Sequence, residues 1–225
     1  MRPLLRLVLG VTLIALAAAP IVRAQNDPTL HIVTYIEAGP ASQQQVATML
    51  RQLADASRKE GAVRFEVLQR TSAASDFLIV ETWKNQQALD AHKAATPATR
   101  FREQVAPLLR SPLDERLCVA AATLPQRDGR AAMYVVTHID VGPGDREAAA
   151  RLINGFAVLS HGEAGNLGFE VVYQKARTNH YTVVETWADE RSEGAHQVAA
   201  PTKKFRADIA PFLGALYDQR WYRPL

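Results

Sequence analysis

The chain has 225 residues, 48% of them hydrophobic and 22% charged, and this balance indicates a globular protein rather than a disordered or fibrous one. The 26 basic and 23 acidic residues leave a formal net charge of +3 at neutral pH. Cys118 is the only cysteine, which excludes an internal disulfide and a zinc site built from several cysteines.

The first 24 residues are predicted to be a signal peptide. Arg2 and Arg6 precede an apolar run, residues 7–19, and Val22 and Ala24 are small residues of the kind a signal peptidase recognises. The alternative is an uncleaved membrane anchor, but a run of about 13 residues is shorter than the roughly 20 that span a bilayer. Cleavage would remove three arginines and no acid, leaving 23 basic residues against 23 acidic ones. We therefore expect an exported protein, periplasmic or secreted, with no basic excess for nucleic acid or an acidic membrane.

Two parts of the chain repeat each other. Residues 30–40, "LHIVTYIEAGP", match residues 133–143, "MYVVTHIDVGP", at an offset of 103. Residues 81–109 match residues 185–213 at an offset of 104, with 12 of 29 positions identical. The change of offset indicates a single insertion near Gly162–Gly165, in a predicted loop. Repeats of this kind indicate two copies of one folding unit.

The two copies are predicted to span residues 29–123 and 131–225. Between them, residues 124–130, "LPQRDGR", are polar and contain proline and glycine, so we interpret them as a linker. The same order of periodicities is found in both copies.

In chain order, the first copy opens with alternating residues over 30–37, which predict a strand that ends at Gly39-Pro40. An apolar helical stripe follows, and Gly61 is a plausible end of that helix. Two strands then form a hairpin, two helices follow, the second beginning at Pro97, and a last strand completes the copy. The stripe consists of Val46, Met49, Leu50 and Leu53, and the later elements cover residues 62–70, 76–83, 85–95, 97–109 and 113–124.

This order, βαββαβ, is the ferredoxin-like arrangement, in which helices cover one face of a four-stranded antiparallel sheet. The other face would leave hundreds of Å² of apolar surface in water, at roughly 25 cal/mol per Å². Two copies in one chain can bury these faces in each other. The predicted fold class is therefore α+β, with two tandem ferredoxin-like repeats forming an intramolecular dimeric α/β barrel. Further oligomerisation of this pseudo-dimer stays open.

The strand end "ETW" at Glu81–Trp83, the histidine nine residues after the tryptophan, and the later pattern "P…FR…APLL" resemble the antibiotic biosynthesis monooxygenase (ABM) superfamily. The pattern recurs in the second copy, so the resemblance covers nearly all of the chain after residue 24. It implies a dimeric α/β barrel, which is fused in this chain, and a likeness to small quinol monooxygenases. It also implies oxidation of phenols or hydroquinones by dioxygen without metal or flavin, because a deprotonated electron-rich ring can give oxygen an electron. The implied partners are a small aromatic substrate and dioxygen, with no cofactor.

Such a reaction needs a base and a dry pocket. Imidazole titrates near the working pH, so the candidate bases are His92, His196 and His138. His138 stands where the first copy has Tyr35, which slightly favours the second copy as the active one, although drift explains the difference equally well. The candidate substrate-contacting residues are Trp83, Trp187, Phe65, Phe169, Phe101, Phe205, Tyr35, Glu81 and Glu185. The alternative is that these side chains only pack sheet against helix and that each glutamate pairs with an arginine.

Three other kinds of site are disfavoured. In haem-degrading members of the superfamily the axial histidine lies on the second helix, where this chain has Arg102 and Arg206 in its two copies. The six histidines show no HxxxH or HExxH spacing, so no metal site is predicted. The glycines of "HGEAGNLG" precede a strand instead of opening a helix, so they do not predict a dinucleotide site.

Two functions of different classes remain open from the sequence. One is an exported, cofactor-independent monooxygenase that acts on a small aromatic such as a quinol. The other is a non-catalytic module, in which the fused barrel binds a small apolar ligand or serves as an interaction surface.

Overall fold

The computed structural model describes residues 29–225, and both copies show the predicted order of elements. The first copy contains β1 (Leu30–Glu37), α1 (Gln43–Lys59), β2 (Arg64–Arg70), β3 (Asp76–Trp83), α2 (Gln86–Ala94), α3 (Thr96–Val105) and β4 (Asp114–Thr123). The second copy contains β5 (Met133–Asp140), α4 (Arg146–His161), β6 (Asn166–Gln174), β7 (Arg177–Trp187), α5 (Glu190–Val198), α6 (Ala200–Ile209) and β8 (Asp218–Pro224). The predicted elements are confirmed, with limits that differ by only a few residues.

Three further features concern the ends and the junction of the copies. The predicted signal peptide, residues 1–24, lies outside the described residues. Within residues 29–225, no helix is both long enough and apolar enough to cross a membrane. Residues 124–132, which include the predicted linker, join β4 to β5 without helix or strand.

Local sequence explains where the long helix of each copy ends. The predicted apolar stripe of α1 packs against the sheet. The chain then turns through Gly61 at φ 93°, a backbone conformation that is strained for other residues. The second copy uses Gly165 at φ 79°, where an added Cβ would lie 2.2 Å from the hydroxyl oxygen of Ser192. The predicted insertion near Gly162–Gly165 therefore does lie in a loop, between α4 and β6.

The two sheets join edge to edge into one closed eight-stranded barrel, in the order β1-β3-β2-β8-β5-β7-β6-β4. Two antiparallel ladders cross between the copies, one from β2 to β8 and one from β4 to β6. Closure leaves no strand edge unpaired, which is how all-antiparallel sheets avoid exposed edges. The α+β fold with an intramolecular barrel of two repeats is confirmed.

Alternate residues of each strand face two different environments. One face points into the barrel, where strands of both copies pack on each other. The other face packs on α1–α3 in the first copy and on α4–α6 in the second. Each copy thus has its own layer between sheet and helices, separate from the barrel interior.

A buried ion cluster joins the two copies at one end of the barrel. Glu170 of the second copy accepts a hydrogen bond from Nη1 of Arg64 at 2.6 Å, and its other oxygen lies 2.6 Å from Nδ1 of His31. Both partners belong to the first copy. Burial opposes ionisation, but the hydrogen bond from His31 and the charge of Arg64 together lower the pKa of Glu170. The cluster therefore stabilises the junction between the copies through one shared carboxylate.

Candidate active site

A small cavity lies between the sheet and the helices of the first copy. Its volume is about 20 Å³, which is room for about one water molecule. Four of the residues predicted as site residues line it: Phe65 of β2, Glu81 of β3, His92 of α2 and Phe101 of α3. The structure therefore brings the candidate base, carboxylate and aromatic walls of this copy to one place.

Glu81, Trp83 and His92 are in mutual contact beside this cavity. Glu81 and Trp83 are two residues apart on β3, so both side chains face the helices, and Nε1–H of Trp83 donates to Oε2 of Glu81 at 2.7 Å. The imidazole of His92 stacks on the indole, with ring centroids 4.5 Å apart, and its Nε2 lies 3.9 Å from the same Oε2. Burial is the main cause that raises the pKa of Glu81.

A second carboxylate, missed from the sequence, holds the other nitrogen of His92. Nδ1 lies 2.7 Å from Oε2 of Glu60, at the end of α1. Because a carboxylate accepts hydrogen bonds, Nδ1 carries the proton, and Nε2 is the acceptor of the neutral ring. The signal was present in the repeat, since Glu163 stands 103 residues after Glu60, just before the one-residue insertion.

The second copy repeats the same four groups. Nδ1 of His196 lies 2.9 Å from Oε2 of Glu163. Nε1–H of Trp187 donates to Oε2 of Glu185 at 3.1 Å. Nε2 of His196 lies 3.3 Å from that same oxygen but has no partner in hydrogen-bonding geometry. The Glu–His–Glu–Trp set is thus present twice.

The charged states of the second set follow from its deep burial. The side chains of His196 and Glu185 are each 1% exposed. Burial raises the pKa of Glu185 to about 8, so this carboxyl keeps its proton at neutral pH. Burial also lowers the pKa of His196, although the neighbouring Glu163 opposes this shift. The buried pair is therefore uncharged at neutral pH.

We expect this carboxyl to make the free energy of unfolding fall by about 1–2 kcal/mol between pH 6.5 and 8. In that window the unfolded Glu185 is ionised while the folded one still binds a proton, so rising pH favours the unfolded chain. The lowered pKa of His196 makes the free energy of unfolding rise with pH only until the unfolded imidazole has lost its proton, near pH 6.5. It therefore contributes little change within this window. Urea unfolding at the two pH values should show the fall in the wild type and its absence in Glu185→Gln. An equal fall in Glu185→Gln would contradict this assignment.

Aromatic side chains fill the layer in the second copy. Phe205, the counterpart of Phe101, stacks on Phe156 with ring centroids 4.1 Å apart. Phe169, the counterpart of Phe65, meets Phe156 edge to face at 5.7 Å. The sequence did not single out Phe156, because the first copy has Leu53 at the equivalent position and the two copies are therefore not identical there.

Tyr35 and His138 lie apart from both sets, on the opposite face of the sheet. They meet inside the barrel, where the hydroxyl oxygen of Tyr35 lies 2.5 Å from Nε2 of His138. Burial and the charge of Arg116 lower the pKa of His138 to about 4. These two residues are thus separated from the cavity by the sheet itself.

Arg102 and Arg206 have equivalent roles within the helical layers. Nη1 of Arg102 donates to the carbonyl oxygen of Lys93 at 3.2 Å, and Nη1 of Arg206 donates to that of Gln197 at 3.3 Å. Both arginines therefore tie adjacent helices together. In residues 29–225, no group of three or more His, Cys, Asp or Glu side chains is arranged to hold a metal ion.

Comparisons with known proteins bear on both copies. Residues 29–104 and 132–208 each match the family model described as antibiotic biosynthesis monooxygenase. No curated protein sequence matches the chain.

Solved structures with the same architecture match nearly the whole described chain. A candidate monooxygenase from Fusobacterium nucleatum matches with a TM-score of 0.81 and 15% identity, over 89% of this chain and 94% of its own. A candidate monooxygenase from Lactobacillus acidophilus matches with a TM-score of 0.73 and 13% identity, over 88% and 94%. An anthrone oxidase-like protein matches with a TM-score of 0.70 and 14% identity, over 89% and 92%. At these identities the likeness shows a shared fold alone.

Proposed function

This chain belongs to the antibiotic biosynthesis monooxygenase family, and on that basis we propose that it oxidises a small aromatic compound, such as a quinol, with dioxygen and without a cofactor. The observation that supports this proposal is the placement of one imidazole. Glu60 holds Nδ1 of His92, and Nε2 faces Glu81 beside a cavity walled by Phe65 and Phe101. A base, a second polar group and apolar walls are the parts that this chemistry needs.

The first step is removal of a phenolic proton. Nε2 of His92 and Oε2 of Glu81 are 3.9 Å apart. A substrate hydroxyl oxygen to one side of this pair can lie within hydrogen-bonding distance of both atoms and donate its hydrogen to Nε2. Nε2 takes the proton, and the carboxylate of Glu60 stabilises the imidazolium that forms. Burial raises the pKa of Glu81, so this group places less negative charge beside the new phenolate than an exposed carboxylate would.

The substrate itself supplies the electrons for dioxygen. One electron passes from the phenolate to dioxygen, the two radicals join as a carbon–oxygen bond on the ring, and loss of water leaves a hydroxylated quinone. One oxygen atom stays on the product and the other leaves as water. A quinol loses four electrons in this sequence, so no external reductant is required.

A second function is favoured by the size of the cavity. A volume of about 20 Å³ is far below the roughly 300 Å³ of a small ligand pocket, so a ring enters only if side chains move. A non-catalytic module that contacts a partner through its outer surface needs no such opening, and the small cavity favours this form of the second function.

Oxygen uptake separates the two functions. With a panel of hydroquinones, we expect saturable oxygen consumption and one labelled oxygen atom in the product when ¹⁸O₂ is supplied. His92→Ala, His196→Ala and His138→Ala test the base, and activity that survives all three substitutions would remove histidine from this role. Saturable binding without oxygen uptake would instead favour the module.

A further inference from the structure

The side chains packed around the two Glu–His–Glu–Trp sets are not the same. We infer that the chain has one ligand-binding site, in the first copy, which takes a single phenolic or hydroquinone ring through a passage beside Leu113. The second copy is a closed counterpart that binds no such ligand. The ligand class rests on the proposed function, whereas the choice between the copies rests on packing.

Three positions that line the cavity of the first copy carry larger side chains in the second. β4 and β8 have the same register against β1 and β5, so residues just before those strands are equivalent in space. Larger side chains at such positions occupy the space that smaller ones leave open. The three pairs are Leu53 and Phe156, Ala98 and Thr202, and Leu113 and Tyr217.

Phe156 occupies the space beside the imidazole of the second copy. Its ring lies 5.5 Å from that of His196 and stacks in parallel on Phe205, with an angle of 1° between the planes. In the first copy, Leu53 is at this position and the cavity remains. The hydroxyl of Thr202 adds a polar contact, 3.3 Å from Nδ1 of His196, where the first copy has only a methyl group.

Tyr217 packs against the buried apolar cluster of the same layer. The guanidinium of Arg206 lies 6.0 Å from the centre of its ring. Burial and, once it has ionised, the charge of Glu185 raise the pKa of Tyr217 to about 12. The side chain of Glu185 is 1% exposed, against 8% for Glu81. The second set is thus the more completely enclosed one.

A surface groove lies next to the Glu–His–Glu–Trp set of the first copy. It has a volume of about 460 Å³ and shares two lining residues, Arg102 and Leu113, with the cavity beside His92. Leu113 is half-buried and lies in the segment before β4. A change in its side-chain position joins groove and cavity, which gives an aromatic ring a route inward. Tyr217 holds this position in the second copy.

The walls indicate what kind of molecule fits. Leu53, Phe65 and Phe101 present apolar surfaces, and the polar lining includes His92 and Glu81, which lie close together. Thr34, Arg102 and Glu115 complete the polar part of the lining. Apolar walls beside a cluster of polar groups suit a ring that carries a hydroxyl, since the hydroxyl can donate its hydrogen to Nε2 of His92 while the ring contacts the apolar walls.

Exchanging the side chains of the equivalent residues Leu53 and Phe156 tests the assignment of the ligand site to the first copy. Hydroquinone is titrated by calorimetry into the full chain, into Leu53→Phe and into Phe156→Leu. We expect one hydroquinone per wild-type chain, binding weakened by about tenfold or more in Leu53→Phe, and unchanged affinity in Phe156→Leu. Two equal sites in the wild type, no binding to it, or loss of binding in Phe156→Leu alone would overturn the inference.

Leu113→Tyr provides an independent variant, because it lies at the half-buried passage and copies the residue of the second copy. It should bind hydroquinone as weakly as Leu53→Phe does while its melting temperature stays near that of the wild type. Wild-type affinity in Leu113→Tyr would contradict a route for the ligand beside Leu113. Oxygen uptake separates this inference from the proposed reaction. If Leu53→Phe loses hydroquinone binding but the wild type consumes no oxygen, the proposed reaction is wrong and the site stands. If oxygen uptake persists in Leu53→Phe and falls in Phe156→Leu, the reaction stands and the assignment of the site to the first copy is wrong.

Discussion

Replacing His92 by alanine is expected to lower kcat/KM for hydroquinone oxidation by about 10²–10⁴-fold, the range usual for loss of a general base. The imidazole is the group whose free nitrogen faces the cavity, with Glu60 2.7 Å from the other nitrogen. Without it, the phenol must lose its proton to water at neutral pH, and the electron transfer to dioxygen starts from a far poorer donor. Steady-state oxygen uptake over a range of hydroquinone concentrations measures the change.

His196→Ala is the matched control, since it removes the equivalent ring from the enclosed set. We expect it to leave kcat/KM within a few-fold of the wild type while lowering the melting temperature, because it leaves a void among buried aromatic rings. The kcat/KM of Glu60→Gln should lie between those of His92→Ala and His196→Ala, since a neutral amide orients the ring but does not stabilise an imidazolium. Equal losses in His92→Ala and His196→Ala would show that neither copy is specialised.

Glu170→Ala is expected to lower the free energy of unfolding by about 3 kcal/mol, as does removal of one partner from a buried ion pair. The substitution leaves His31 and Arg64, with side chains only 7% and 17% exposed, without their shared carboxylate. It also removes a contact that crosses between the copies at one end of the barrel. Urea unfolding at pH 7 measures the loss.

Glu66→Ala is the matched control at the equivalent position of the first copy. Glu66 is half-buried and contacts the hydroxyl of Tyr134 instead of two cationic partners, so its loss should cost about 1 kcal/mol. The pH dependence gives a second check. The pKa of Glu170 is lowered from 4.5, so its contribution is complete above pH 4.5 and disappears as pH falls through the lower folded value. A wild type and a Glu170→Ala variant with parallel acid unfolding curves would contradict this account.

The elements and their order could be predicted from local patterns because each pattern has a local cause. Alternation over 30–37 reflects the pleat of β1, and the stripe that includes Leu50 reflects one face of α1. The repeat then extended these assignments to the second copy. The barrel was predicted from a physical requirement, since each sheet had one apolar face without helices to cover it.

The residues of the site could be predicted from the sequence only in part. Trp83, Glu81 and His92 were recognisable because they recur in both copies. Glu60 lies 32 residues from His92 along the chain and meets it only because α1 and α2 both pack against α3 and the same sheet. The sequence predicts Tyr35 as a site residue, but Thr34 is the β1 residue that pairs with Ile79 and faces the cavity. Strand register decides this, and register depends on pairing between distant segments.

The sequence by itself determined that two like units would fold alike and would have to cover each other, because period and apolar content act over a few neighbouring residues. Only the tertiary structure decided that a leucine leaves space beside one imidazole while a phenylalanine fills it beside the other. That difference depends on the summed volumes of side chains brought together from several elements, and close packing makes a single ring sufficient to open or close a cavity.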